Sequence, residues 1–178
     1  MQQSDEYRKV YCQKYDQYSQ YEIPIAKAVF EYMVKNSFEK LVRPSTEKED
    51  QAGIDVVCIF KNLSCRATPY EPEKYKRFQW CFTLRTRVEV SEHTEFQKIW
   101  KGEGADFHAR GWIENDKVRD WMLIDLKEVG AALKTMYREG TLQKRCRQLD
   151  NKDNQTSFIN CDIRDFPKQC LVASTFKV

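Results

Sequence analysis

Gly53-Ile54-Asp55-Val56-Val57 and, further along, Phe82-Thr83-Leu84-Arg85-Thr86-Arg87 are the two segments on which the fold reading turns. The first lies in an apolar run over residues 53–60 that only Asp55 interrupts. Such a run reads as a strand covered on both faces, with an acid near its start. The second belongs to a strand predicted over residues 78–90. Phe78, Trp80, Phe82 and Leu84 alternate onto one face of it, and Gln79, Cys81, Thr83, Arg85 and Arg87 onto the other. The first face is core. The second is polar and carries two arginines.

Working outward, Tyr7, Tyr11, Tyr15, Tyr18 and Tyr21 repeat at helical spacing, so an extra N-terminal helix with one aromatic stripe is predicted over residues 4–21. It either lays its tyrosines on the main body or offers them to bases. Glu22 and Pro24 open a second helix, whose apolar stripe is Ile25, Ala26, Val29, Phe30, Met33, Phe38 and Leu41, and Pro44 stops it. Residues 61–77, which contain Pro69 and Pro72, read as a polar excursion. A short helix is expected over 94–101, with Gly102 and Gly104 ending it. Strands follow over 106–113 and 121–126, joined by a turn at 114–117, and then a helix over 126–137 that Asp125 can cap. Residues 158–163 and 171–176 read as late strands. This order places the chain in the α/β class with a mixed sheet flanked by helices.

The 178 residues suit a single domain with room for a core. Its parts are an N-terminal helical extension over 1–21, a core over 22–137 and a C-terminal elaboration over 138–178. Apolar residues make up 41% and charged residues 32%, which excludes a disordered chain. No apolar run approaches the roughly 20 residues of a membrane span. The polar start Met1-Gln2-Gln3-Ser4-Asp5-Glu6 lacks the apolar core of a signal peptide, so a cytoplasmic location away from membranes is expected. Cys12, Cys58, Cys65, Cys81, Cys146, Cys161 and Cys170 contain no Cys-x-x-Cys pair and read as free thiols. Net charge is only +3, but residues 66–87 hold six basic groups against two acids, and residues 134–148 hold five against one. Such an excess suits phosphate backbones, or else forms a solvated charged face.

Helix, strand beginning at Gly-Ile-Asp, and strand with an alternating polar face together resemble the restriction-endonuclease-like PD-(D/E)XK superfamily. The small phage-type members are the nearest in pattern, through residues 156–167 at the tail. The resemblance implies a restriction-endonuclease-like mixed β-sheet and a phage or mobile-element nuclease acting on DNA. It also implies a Mg²⁺ ion held by an acid at the first strand and a second acid on the next strand, with a lysine two residues beyond. On that pattern Asp55 is the first metal ligand. Thr83 stands at the second acid and Arg85 at the lysine. Threonine is a poor ligand for a hard cation. Arginine keeps its charge and grips phosphate bidentately, but it cannot serve as a base.

Three readings of that departure stand. An acid from elsewhere completes the site, with Asp50, Glu49, Glu22 and Glu31 as candidates and Asp50 as the assigned second metal ligand. Alternatively the domain has lost catalysis and binds nucleic acid or a protein, as an accessory subunit or homodimer. In the third reading Asp55 is structural and pairs with Arg85 or Arg87. Arg85, Arg87, Arg77 and Lys76 are the candidate phosphate contacts, and Asp55 and Arg85 the candidate catalytic pair. His108 falls in a strand and reads as a packed residue. Trp80, Trp112 and Trp121 read as core, and Trp100 as the most exposed tryptophan. No phosphate-cradling glycine loop or dinucleotide fingerprint occurs.

Overall fold

A computed structural model describes residues 20–34, 42–44, 46–47, 51, 56–58, 61–88, 94–150 and 156–176. The predicted tyrosine helix over 4–21 therefore lies almost wholly outside the described residues. Helix α1 (Glu22–Val34) is followed by β1 (Val42–Pro44), β2 (Val56–Cys58) and β3 (Lys61–Pro69). Helix α2 (Pro72–Phe78) leads into β4 (Cys81–Val88), and α3 (Glu95–Lys101) into the hairpin of β5 (Phe107–Glu114) and β6 (Lys117–Asp125). Helix α4 (Leu126–Arg138) and the single turn α5 (Leu142–Arg145) precede β7 (Cys146–Asp150), β8 (Thr156–Asp162) and β9 (Leu171–Ser174). Among the described residues no helix is long and apolar enough to cross a membrane.

The strands form a larger, six-stranded sheet in the order β1-β2-β3-β5-β6-β9 and a smaller, three-stranded sheet in the order β4-β8-β7. β3 and β5 run parallel, whereas the other pairs of the larger sheet are antiparallel, so this is a mixed sheet. Two expectations are corrected here. Residues 61–77 are not an excursion: they supply β3, at the centre of the larger sheet, and then α2. Polar residues alternate with Leu63 and Cys65, whose side chains are buried, so the strand is half polar and its sequence resembles a loop. The segment at Pro44 is likewise a strand, not a helix stop. It occupies the sheet edge, where a proline that cannot donate costs no ladder bond.

The two faces of the larger sheet meet different neighbours. Leu63, Cys65, Ala109, Ile113, Trp121 and Leu123 pack against Ile25, Ala26 and Val29 of α1. Gly111 permits that contact, because a Cβ there would stand 2.5 Å from Ile25. On the other face Trp112, Met122 and Ile124 share a core with Phe82 and Leu84 of β4, Ile159 and Cys161 of β8, and Val129, Leu133 and Met136 of α4. β8 pairs with β4 and β9 with β6, which weaves the end of the chain into both sheets.

Local signals set the remaining elements. Asn115 and Asp116 both take positive φ, the conformation a tight hairpin turn demands. The Asp125 carboxylate accepts from the amides of Lys127 and Glu128 at 2.9 and 3.0 Å, capping α4 as expected. Trp112 and Trp121 are core residues, 1% and 5% exposed. Trp80 and Trp100 are half-buried, and Trp100 stacks on Phe96 with ring centroids 5.6 Å apart.

Candidate nucleic-acid interface

On the face of the larger sheet turned away from α1, β3 and β5 carry polar groups. Leu63 and Cys65 point to α1, so Ser64 and Arg66 take the opposite face. Ala109 likewise packs toward α1, which leaves His108 and Arg110 on the face of Ser64 and Arg66. The parallel register sets Ser64 against His108 and Arg66 against Arg110.

Each of these groups is held by a partner. The Ser64 hydroxyl and His108 Nδ1 share a hydrogen bond of 2.7 Å. His108 is 8% exposed, and its Nε2 has no partner. Burial, followed by the charge of Arg66, pulls its pKa down to about 4, so the ring is neutral near pH 7. Arg110 donates to the carbonyls of Phe78, at 3.1 Å, and Cys81, and its guanidinium lies 4.6 Å over the Trp112 ring. It ties the start of β4 to β5, a structural role.

Arg66 reaches further. Its guanidinium donates to Thr83 Oγ1 on β4 at 2.6 Å and stands 3.9 Å from the Glu95 carboxylate. Arg85 meets the same carboxylate more closely. Its Nη2 and Nε donate to one Glu95 oxygen at 3.0 and 3.3 Å, and its backbone amide donates to the other at 3.0 Å. Burial alone would raise the Glu95 pKa. The guanidiniums of Arg66 and Arg85, with the Arg85 amide, outweigh it and hold the carboxyl at about 2. Both arginine side chains remain 40% exposed. Two guanidiniums and a threonine hydroxyl thus converge with one carboxylate in a half-open cluster.

Glu95 is placed by the start of α3. Thr94 and Gln97 make a reciprocal capping box, with Thr94 Oγ1 accepting at 3.3 Å and Gln97 Oε1 accepting at 2.9 Å. Gly102 closes the helix in the left-handed region, φ 79°. Gly130 on α4 admits α3, since a Cβ there would sit 2.8 Å from the Ile99 carbonyl oxygen.

The predicted site residues separate on this framework. Asp55, Asp50 and Glu49 lie outside the described residues. Arg85 is in the cluster, and Thr83 is bonded to Arg66. A bulge at Thr86 sets Arg85 and Arg87 against the neighbouring residues Phe158 and Ser157, so the predicted strict alternation from Thr83 through Arg87 breaks there. Lys76 and Arg77 are exposed on α2, ahead of β4, whereas Arg85 is four residues, roughly 13 Å, into that strand. They form a second basic patch, fixed by Tyr75, whose hydroxyl donates to Asp120 at 2.8 Å. Glu22 and Glu31 belong to α1, which packs on the opposite face of the sheet, so neither is brought to Arg66 and Arg85.

The strand order corrects the central pairing. β4 was expected beside the Asp55 strand, but it pairs with β8 in the smaller sheet. The next strand to pair with β2 along the chain is β3, with Cys58 opposite Lys61. Ser64, Arg66 and Glu95 are the residues the sequence reading missed, whereas His108, read as a packed strand residue, is buried in β5. The buried pair Leu63 and Cys65, alternating with Ser64 and Arg66, was the signal that could have found two of them.

No family model matches the chain, and neither a curated protein nor a solved structure matches it.

Proposed function

We propose that this domain grips the phosphate backbone of a nucleic acid, DNA in the first instance, at the Arg66–Arg85 cluster, and that it binds without cleaving. The observation that carries the reading is the convergence of two half-exposed arginines on one carboxylate beside a threonine hydroxyl. Arginine forks suit phosphate oxygens, and Glu95 holds them in place until a phosphate competes for them.

A restriction-endonuclease-like scaffold agrees with this reading once the strand order is used. The pattern asks for an acid at one strand and, two residues apart on the next, an acid and a lysine. Asp55 directly precedes β2, and the neighbouring β3 carries Ser64 and Arg66 two residues apart on one face. The second motif is then Ser64 and Arg66 instead of Thr83 and Arg85. The chemistry departs in the same direction at the new positions, with a hydroxyl for the acid and an arginine for the lysine.

A resident Mg²⁺ does not fit the described residues. The hydroxyl at the second-acid position is bonded to His108, and the Glu95 carboxylate is already bonded to Arg85. Hard divalent cations take carboxylate oxygens that are free to coordinate.

The test is binding of a labelled DNA duplex followed by fluorescence anisotropy across a salt series, with and without Mg²⁺. Affinity should fall steeply with salt, and R66A/R85A should reduce the slope of log K against log salt by about 2, near one unit per phosphate contact. Glu95→Gln should tighten binding by removing the negative charge that both arginines share. Salt-insensitive binding, or an unchanged slope in the double variant, sinks the interface. Mg²⁺-dependent cleavage that disappears in Asp55→Ala would replace the binding reading with the nuclease one.

A further inference from the structure

The smaller sheet holds a pair of thiols that plays no part in the basic cluster. Cys146 opens β7, Cys161 lies in β8, and the antiparallel register sets them directly opposite each other. Directly opposed residues of an antiparallel pair have Cα atoms about 4.5–5.5 Å apart, inside the span a disulfide bridges. Both side chains are buried, 3% and 0% exposed, and their sulfurs stand 2.8 Å apart. Register sets Cys81 against Asp162 and Cys65 against Ala109 instead.

We propose that Cys146 and Cys161 form a site of reversible oxidation that closes to an intramolecular disulfide when hydrogen peroxide acts on it. Burial favours a small oxidant over a bulky disulfide. β7 is an edge strand whose Arg147, Gln148 and Asp150 are exposed, so local opening of that strand uncovers Cys146 first.

The two sulfurs have different tasks. The Cys161 thiol donates its hydrogen to the Cys146 sulfur. That bond lowers the pKa of Cys146 and, together with burial, raises that of Cys161, which makes Cys146 the attacking thiolate. The Cys146 sulfur attacks one peroxide oxygen. An S–O bond forms, the O–O bond breaks, and the departing hydroxide takes up a proton to leave as water. Cys146 is now a sulfenic acid. The Cys161 sulfur then attacks the Cys146 sulfur and gives up its proton. The S–S bond forms, the S–O bond breaks, and a second water leaves. Two thiols are oxidised, and one peroxide is reduced to two waters.

The bridge would staple the edge strand β7 to β8, the strand that also pairs with β4 beside Thr83 and Arg85. The experiment treats the full chain with hydrogen peroxide, blocks remaining thiols by alkylation after unfolding, and maps the peptides by mass. The expected result is one linked pair of peptides, containing Cys146 and Cys161, that separates on reduction, with a higher thermal midpoint for the oxidised protein. Cys161→Ser should lose the link and leave Cys146 as an oxidised single thiol. The wild-type map decides the matter even if that variant does not fold. Recovery of both cysteines as alkylated thiols after peroxide, or a link from either of them to another cysteine, overturns the proposal.

Discussion

The two faces of the larger sheet are built from the same strands and behave differently. Toward α1, an apolar cluster forms, in which Leu63, Cys65, Ala109, Ile113, Trp121 and Leu123 meet Ile25, Ala26 and Val29. Toward β4 and α3, Trp112, Met122 and Ile124 share their face with Ser64, Arg66, His108 and Arg110. An apolar face needs only a matching neighbour. A polar group on a sheet face needs a specific partner, because an unpaired buried polar atom costs about 1–3 kcal/mol. The second face therefore spends hydrogen bonds and ion pairs where the first uses contact alone. Its groups also remain within reach of solvent at Arg66 and Arg85.

The largest test of this contrast is Trp112→Ala. Trp112 is 1% exposed and lies beneath Arg110, so its loss removes a core ring and the surface on which the buried guanidinium rests. A loss of about 3–5 kcal/mol is expected in chemical denaturation. Survival within 1 kcal/mol of wild type would show that this face tolerates loose packing. Gly111→Ala probes the opposite face at the adjacent residue. The new Cβ would press Ile25 from 2.5 Å, which predicts a loss of about 1–3 kcal/mol with the basic cluster's DNA affinity unchanged. A large fall in affinity would show that the two faces are coupled.

Glu95→Ala comes next, at about 1–2 kcal/mol, because it removes the carboxylate that Arg66 and Arg85 share. Its pH dependence follows from the lowered carboxyl. A group depressed from 4.5 to about 2 stabilises the fold above pH 4.5 and loses that contribution as pH falls toward 2. His108 acts over a higher window. Its pKa falls from 6.5 to about 4 on folding, so stability present above 6.5 is lost progressively as pH falls toward 4. Denaturant midpoints measured from pH 7 to pH 3 should decline in two overlapping stages. Replacing His108 with Gln should flatten the upper one. The smallest effect is expected from Ser64→Ala, about 1 kcal/mol, since it deprives the buried His108 Nδ1 of its partner. An unchanged midpoint there would mean that the Ser64–His108 bond contributes nothing net.

Much of the frame was legible before any coordinates. The helix opening at Glu22, the strands around Ala109 and Leu123, the helix capped by Asp125 and the late strands follow from apolar period and local capping, which act within a few residues. The failures share one cause. Lys61–Pro69 was read as loop because half of its side chains are polar, and its strand character comes from partners on both sides, β2 and β5. Glu95 falls within the short helix predicted over 94–101, with nothing local to set it apart. Its role comes from Arg66 and Arg85, which are 29 and 10 residues away in the chain. No local pattern carries either fact.

The sequence by itself determined the α/β class, the apolar stripes that make the cores, and the absence of an acid and a lysine from the Thr83–Arg85 stretch. It also indicated that arginines concentrate between residues 66 and 87. Only the tertiary structure decided which strand lies beside β2, which arginines share a carboxylate, and which face of the sheet stays polar. The physical reason is range. Periodicity and capping record interactions between near neighbours in the chain, whereas strand order and ion pairing are settled by contacts between segments far apart in it. Arg66 illustrates the difference: in the sequence it is one of six basic residues between 66 and 87, and in the fold it is the residue that joins β3 to Thr83 and Glu95.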